Sequence, residues 1–335
     1  MRSDQHSTRS QGVSMKFNAT LVLQGLLCAF LFLFGNAPDV AAQDWKPTRP
    51  IRLVVPYPPG GGADIIGRLV AQAVAGRLEH PIVVENRGGA NGSIGSDYVY
   101  RADPDGHVIL LATVDSQAMY PQVAKVTFDS SRYVPLGGIA QMGYVLMGRA
   151  DLPPTLPELL QLMKTRTLTY ASAGHGGSPH VLTVLFGKQA GRDLLHVPFQ
   201  GSGPAILAVL GGSVDLTMVP LAVAPQYRGK LRAYGVTSPE RVDSMKEVPT
   251  FAEQGLAVTG GSWMAWVAPP GTPEPVAATL SRALSDAVAS PAVNTRLREM
   301  GMAPITLSRP EFEKLYLDEY RKWGAIIRDA NIKVE

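Results

Sequence analysis

Cysteine is all but missing: Cys28, inside an apolar run near the N-terminus, is the only one in 335 residues. A chain that loses that run has no thiol, no disulfide and no cysteine metal ligand. An excess of one charge is missing as well, since 31 basic and 28 acidic residues leave a net charge of +3. A nucleic-acid surface concentrates Lys and Arg in a stripe or arm, so the dispersed charges exclude a nucleic-acid partner. Internal repeats and low-complexity tracts are absent too. What is present is apolar material, 45% hydrophobic against 18% charged, enough for the cores of two α/β lobes.

Several chemical signatures are also lacking. None of Ser93, Ser172, Ser178, Ser202, Ser213 or Ser262 sits in the G-x-S-x-G elbow of an α/β-hydrolase, although His175-Gly176-Gly177 has the look of an esterase oxyanion loop. The glycine spacing from Gly62 to Gly67 is followed by Arg68-Leu69, where a phosphate-binding P-loop needs Lys and Ser or Thr. A dinucleotide fingerprint fails because no third glycine follows Gly60 and Gly62 at the required spacing. His175, His180 and His196 have no carboxylate at ligand spacing and no H-E-x-x-H. They are read as hydrogen-bonded structural residues, His180 orienting its loop and His196 buried beside Pro198. No metal and no cofactor is expected.

Residues 1–42 differ from the rest. Arg2, Arg9 and Lys16 precede an apolar run over 19–35, and Val40-Ala41-Ala42 follows. This pattern predicts a signal peptide cleaved after Ala42 and a periplasmic mature chain. The competing reading is a membrane anchor, against which the run is broken at Gln24-Gly25 and is short of the roughly 20 residues of a spanning helix. A lipid anchor at Cys28 would follow Leu27, where processing wants a small side chain. A start at Met15 would leave a compact signal carrying Lys16 alone. Cleavage removes three basic and two acidic residues, so the net charge falls to +2.

Beyond the leader, apolar runs at 51–57, 82–85, 108–112, 168–172, 194–198, 216–219 and 232–236 read as strands, with helical patterns between most of them. Such alternation predicts parallel α/β sheets. Residues 143–149, followed by Pro153-Pro154, and 263–268, followed by Pro269-Pro270-Gly271, read as strands crossing between two lobes. Lobe one is then 43–146 plus 263–335 and lobe two 147–262, with a hinge at the two crossings. Three helices are expected at 273–288, 291–300 with Ser290 as cap, and 309–330.

The sharpest local feature is Pro56-Tyr57-Pro58-Pro59-Gly60-Gly61-Gly62-Ala63-Asp64, between a buried strand and a helix. Successive glycines let amides turn towards a ligand, and a helix start adds partial positive charge, which suits a carboxylate or phosphate. The competing reading is a turn that packs the helix on the sheet. Ser172-Ala173-Gly174-His175-Gly176-Gly177-Ser178-Pro179-His180 repeats the arrangement in lobe two. In Pro198-Phe199-Gln200-Gly201-Ser202-Gly203-Pro204, Gln200 and Ser202 are either ligand groups or a helix start with Ser202 or Gly203 as cap. Thr113, Asp115 and Ser116 are candidates of the same kind. Tyr57 is expected to line the cleft, while Trp263 and Trp266 read as core.

In order and spacing these motifs resemble the substrate-binding proteins of tripartite tricarboxylate transporters, the Bug family. The resemblance takes in Arg49-Pro50-Ile51-Arg52, Val84-Glu85-Asn86-Arg87, Ala102-Asp103-Pro104-Asp105-Gly106, His196-Val197-Pro198-Phe199-Gln200-Gly201, Gly211-Gly212-Ser213-Val214-Asp215, Glu247-Val248-Pro249-Thr250 and Ala268-Pro269-Pro270-Gly271-Thr272-Pro273, besides the two loops. It implies a type II periplasmic binding fold that closes on a carboxylated solute and delivers it to a two-component permease, with no enzymatic activity. It implies that Tyr57, Gly61, Gly62 and Asp64 grip a ligand carboxylate together with Ser172, Gly177 and Ser178. Thr113, Ser116, His180, Gln200 and Ser202 complete the expected ligand set, and the chain is expected to be a monomer. Ala63 and Gly177 replace hydroxyl residues common in relatives, and Gln200 a common Lys. A monocarboxylate, an aromatic acid or a more neutral ligand suits those changes. Two other functions compete: a sensory or interaction protein serving a membrane kinase or permease, and a hydrolase using Ser178 with His175 or His180.

Overall fold

A computed structural model describes residues 45–199, 201–329 and 331–332, which belong to one compact unit. The expected signal peptide and Gln200 lie outside the described residues.

Strand β1 (Ile51–Val55) is apolar at every position but Arg52, and all four apolar residues are buried, as a strand covered on both faces requires. It lies parallel between β2 (Ile82–Asn86) and β3 (Val108–Thr113). Helix α1 (Gly62–Leu78) follows β1 and buries Ile66, Val70 and Val74, one i,i+4 row. Helix α2 (Ser93–Tyr100) joins β2 to β3, and β3 runs into a helical turn, Asp115–Met119, and a short α3 (Tyr120–Val123).

Strand β4 (Val134–Arg149) belongs to both halves of the sheet. From Val134 to Gly143 it pairs antiparallel with β9 (Gly261–Ala268), and from Tyr144 onward with β7 (Leu216–Pro220) and β8 (Leu231–Val236). Between the two passes lie α4 (Leu156–Thr165), β5 (Thr169–Ser172), α5 (Ser178–Gln189), β6 (Leu195–Pro198) and α6 (Ser202–Leu210). Strand β5 is parallel to β6 and β7. The chain returns through β9 to α7 (Glu274–Ala289), α8 (Pro291–Glu299), β10 (Ala303–Pro304) and α9 (Arg309–Asp329).

The resulting order, β2-β1-β3-β9-β4-β7-β5-β6, makes one mixed sheet rather than the purely parallel sheets the alternation predicted. The crossing strands are where the breakers placed them, but β4 starts much earlier, at Val134. The strand takes in Pro135, Gly137 and Gly138 with register shifts between Pro135 and Gly137 and between Gly138 and Ala140. Ser290 stands at the start of α8 without capping it, because its hydroxyl donates back to the Ala287 carbonyl at 2.6 Å. At α6 the cap position is Gly201, one residue before the two proposed. Trp266 is fully buried and Trp263 4% exposed, as core residues.

Separate apolar clusters fill the two halves. One contains Ile51, Leu53, Ile66 and Leu284, and another Val145, Ile206, Val219 and Val236. A third, with Leu146, Tyr170, Trp263 and Trp323, runs across the strands shared between them.

Candidate functional site

The first glycine loop leaves β1 at Val55 and enters α1 at Gly62. Gly60 has φ +81°, which requires glycine, whereas Gly61 has ordinary φ. Gly61 and Gly62 are exposed, and a Cβ at Gly62 would meet nothing within 4 Å, so open space lies in front of them. Asp64 does not face that space. It is 4% exposed and accepts from the Gly60 amide (2.9 Å), Arg68 Nε (3.1 Å) and Asn86 Nδ2 (3.0 Å). The Arg68 guanidinium, then the Gly60 amide, hold its carboxyl down at about 2. Asn86 also donates to the Tyr57 carbonyl at 3.1 Å, so Asp64 and Asn86 brace the loop from behind.

Tyr57 turns its hydroxyl to Thr113 Oγ1, 2.7 Å away. Thr113 and Ser116 lock the end of β3 reciprocally: the Thr113 amide donates to Ser116 Oγ (3.2 Å) and the Ser116 amide to Thr113 Oγ1 (3.1 Å). Their hydroxyls thus form a turn and fix its intervening residues, Val114 and Asp115.

Asp115 faces the second glycine loop. Its Oδ1 accepts from the Ser178 amide at 3.0 Å and from the Ser178 hydroxyl, at the start of α5. Asn91, ahead of α2, donates to the His175 carbonyl. These two contacts join the β1–β3 half of the molecule to the β5–β6 half. Burial, opposed by the Ser178 hydrogen bonds, pushes the Asp115 carboxyl up. Burial and then the Asp115 charge push the Tyr57 and Tyr144 phenols up.

Within the second loop, Ser172 turns inward, with its hydroxyl 2.7 Å from His196 Nε2 and donating to the Gly174 carbonyl at 2.8 Å. His180 Nδ1 accepts the Gly176 amide at 2.8 Å, so His180 orients the loop. Gly177 is buried, and a Cβ there would come 3.4 Å from Asp115 Oδ2. Ser202 is half-buried, with no side-chain hydrogen bond to a described residue. The expected ligand residues therefore divide. Tyr57, Gly177 and Ser178 stand at or beside the meeting of the two halves, Gly61 and Gly62 are exposed at the start of α1, and Asp64, Thr113, Ser116, Ser172 and His180 hold the loops in shape.

The sequence reading missed Asn86 and Asn91. Asn91 lies in Gly88-Gly89-Ala90-Asn91-Gly92, a third glycine-rich strand-to-helix connection open to the same argument as the other two. The three histidines weighed together as metal ligands and read as structural residues do converge, with nitrogens of His175, His180 and His196 within 4.8 Å of one another. The His180 and His196 rings are stacked, with centroids 4.1 Å apart and planes at 7°, and Tyr170 stacks on His196 at 4.8 Å. Parallel rings send their in-plane lone pairs side by side rather than towards one point, and one nitrogen of each is already engaged, so the stack does not fit a metal ion. Burial, then His196 and His175, lower His180 to about 3, and burial, then His175, lower His196 to about 4. With its hydroxyl on Asp115 instead of a histidine, Ser178 lacks the general base a serine hydrolase needs.

A family model described as the tripartite tricarboxylate transporter family receptor matches residues 66–332. The chain belongs to that family. Members are solute-binding receptors rather than enzymes. BugT of Bordetella pertussis is 30% identical over 324 residues, covering 93% of this chain and 98% of that protein. Among solved structures, the periplasmic binding protein BugD superposes with a TM-score of 0.75 at 31% identity, covering 86% of this chain and all (100%) of BugD. MatC from Rhodopseudomonas palustris, with bound malate, gives a TM-score of 0.75 at 30% identity over 84% of this chain and 99% of MatC. The fold is accordingly that of this family's receptors, two α/β lobes joined by crossing strands. Among the described residues, no helix is long and apolar enough to cross a membrane.

Proposed function

We propose that the chain is an exported periplasmic receptor that captures a small carboxylate-bearing solute between its lobes and hands it to the permease of a tripartite tricarboxylate-type transporter. Lobe one is 43–146 with 263–335, lobe two is 147–262, and the leader is cleaved near Ala42. Exposed amides at Gly61 and Gly62 and the hydroxyl of Tyr57 receive the carboxylate, and the loop around Gly177 and Ser178 closes on the far end of the solute. Hydrogen bonds from amides, hydroxyls and water are enough for such a grip without a buried Arg.

The observation that supports this reading best is the pair of contacts, Asn91 with His175 and Asp115 with Ser178, that set the β2–α2 connection and the turn after β3 against the second glycine loop, while Tyr57 ties the first glycine loop to that same turn through Thr113. Family membership supports the class of function, and MatC with malate supports the class of ligand.

A solute that binds only the folded protein raises its melting temperature, by about 2.7 kcal/mol of added stability at 100 times Kd, a few degrees in a protein of this size. A thermal-shift screen of mono-, di- and tricarboxylates and amino acids is expected to give such shifts for a subset of carboxylates and none for matched alcohols or amides. A well-folded protein that responds to no carboxylate contradicts the proposal.

A further inference from the structure

Asp115 is a carboxylate held inside the candidate binding region, and its environment is one-sided. Oδ1 takes the amide and hydroxyl of Ser178, so the donors at the start of α5, the place where a helix welcomes an anion, are already answered by a side chain of the protein itself. Oδ2 receives no hydrogen bond and no ion pair from a described residue. It lies beside Gly177, where a side chain would approach it to 3.4 Å, and Gly177 supplies none. The neighbours whose titration Asp115 perturbs are Tyr57 and Tyr144, both neutral. A carboxylate so placed repels a second carboxylate arriving at the same loop, and it gains a charge-assisted hydrogen bond from any cationic N–H that reaches Oδ2.

We infer that Asp115 sets the specificity of this receptor by filling the anion position at the start of α5 and turning Oδ2 to the solute. The ligand is then one with a single carboxylate at the first glycine loop and a protonated amine facing Asp115. This rests on the carboxylate-binding reading above and narrows it from carboxylates in general to amino-monocarboxylates. Gly177 belongs to the same arrangement, because the missing side chain leaves the approach to Oδ2 open.

The test compares solutes of matched length that differ only at the far end: 4-aminobutyrate with succinate, 5-aminovalerate with glutarate, and 6-aminohexanoate with adipate, with the corresponding unsubstituted monocarboxylates as a third arm. Titration calorimetry on the mature protein is expected to show at least one amine binding tenfold or more tighter than its dicarboxylate partner. In Asp115→Asn, which keeps an acceptor oxygen for the Ser178 amide, that preference is expected to fall at least tenfold, with the dicarboxylate gaining. Dicarboxylates that bind wild type as well as the amines, or better, overturn the assignment of Asp115 while leaving carboxylate capture intact. Monocarboxylates that bind as tightly as the amines do the same. Silence from all three arms overturns the parent reading along with this one. The wild-type comparison decides the matter even where Asp115→Asn fails to fold.

Discussion

Asp64 and Asp115 are both acids beside a glycine loop, and their surroundings send them in opposite directions. Asp64 has an amide, a guanidinium and a carboxamide around it, so its charged form is favoured and its pKa falls to about 2. Asp115 has one serine and no cation, so burial dominates and its pKa rises. In sequence the two are alike, each a single Asp after a strand, and nothing in the residue type says which will brace its own loop and which will reach across to another. Asp64→Asn loses charge-assisted hydrogen bonds and is expected to cost about 1–3 kcal/mol at pH 7. Because the folded pKa lies below the unfolded value, the Asp64 contribution is present above pH 4 and is lost as the pH falls towards 2. Denaturant unfolding should therefore separate variant from wild type clearly at pH 7 and progressively less below pH 4. An unchanged midpoint at pH 7 would show that the brace carries no stability.

Elements were more legible than roles. Strand and helix positions followed from apolar runs and their breakers, and the two crossing strands were visible because a Pro-Pro pair follows each. Strand direction was not legible, since an apolar run looks the same whether its partner runs with it or against it, and β4 to β9 pairing came out antiparallel. Asn91 escaped because its position depends on left-handed backbone at Ala90 (φ 46°) and Asn91 (φ 49°), which a sequence does not announce. The histidine stack escaped for a related reason: β5–β6 pairing sets Tyr170 beside His196, and only then does α5 bring His180 onto the same ring. That stack ties the second loop to its strands in the neutral state. His180 and His196 titrate at about 3 and about 4 in the folded chain against 6.5 when unfolded, so the unfolded state takes protons first. Stability is full above pH 6.5 and declines as the pH falls towards 4, by up to about 1.4 kcal/mol for each pH unit separating the two states of a group. Melting curves between pH 7 and 4 should show this decline, and His180→Asn, whose carbonyl can still accept the Gly176 amide, should flatten it. An equally steep decline in the variant would place its origin elsewhere.

At the scale of the whole molecule, β4 and β9 decide what the loops can do. Both halves hang on these strands, β4 running through both and β9 beginning at the return, so a change of angle near Gly143 and Gly261 carries one set of loops relative to the other. A cavity of about 330 Å³ at these crossings is lined by Gln141, Gly143, Gly261, Trp263 and Glu319 and by none of the three glycine loops, so it stands apart from the region where capture is proposed. Apolar clusters confined to one half each leave the halves able to move as bodies, while the third cluster keeps them attached. The most direct check on this arrangement is the amide spectrum of the nitrogen-15-labelled mature protein during titration with the carboxylate that gives the largest thermal shift. If two loops close on one solute, the amides of Gly60, Gly61 and Gly62 and those of Gly176, Gly177 and Ser178 move together along a single saturation curve. Movement confined to one loop, or to the hinge cavity with both loops silent, would contradict capture between the lobes.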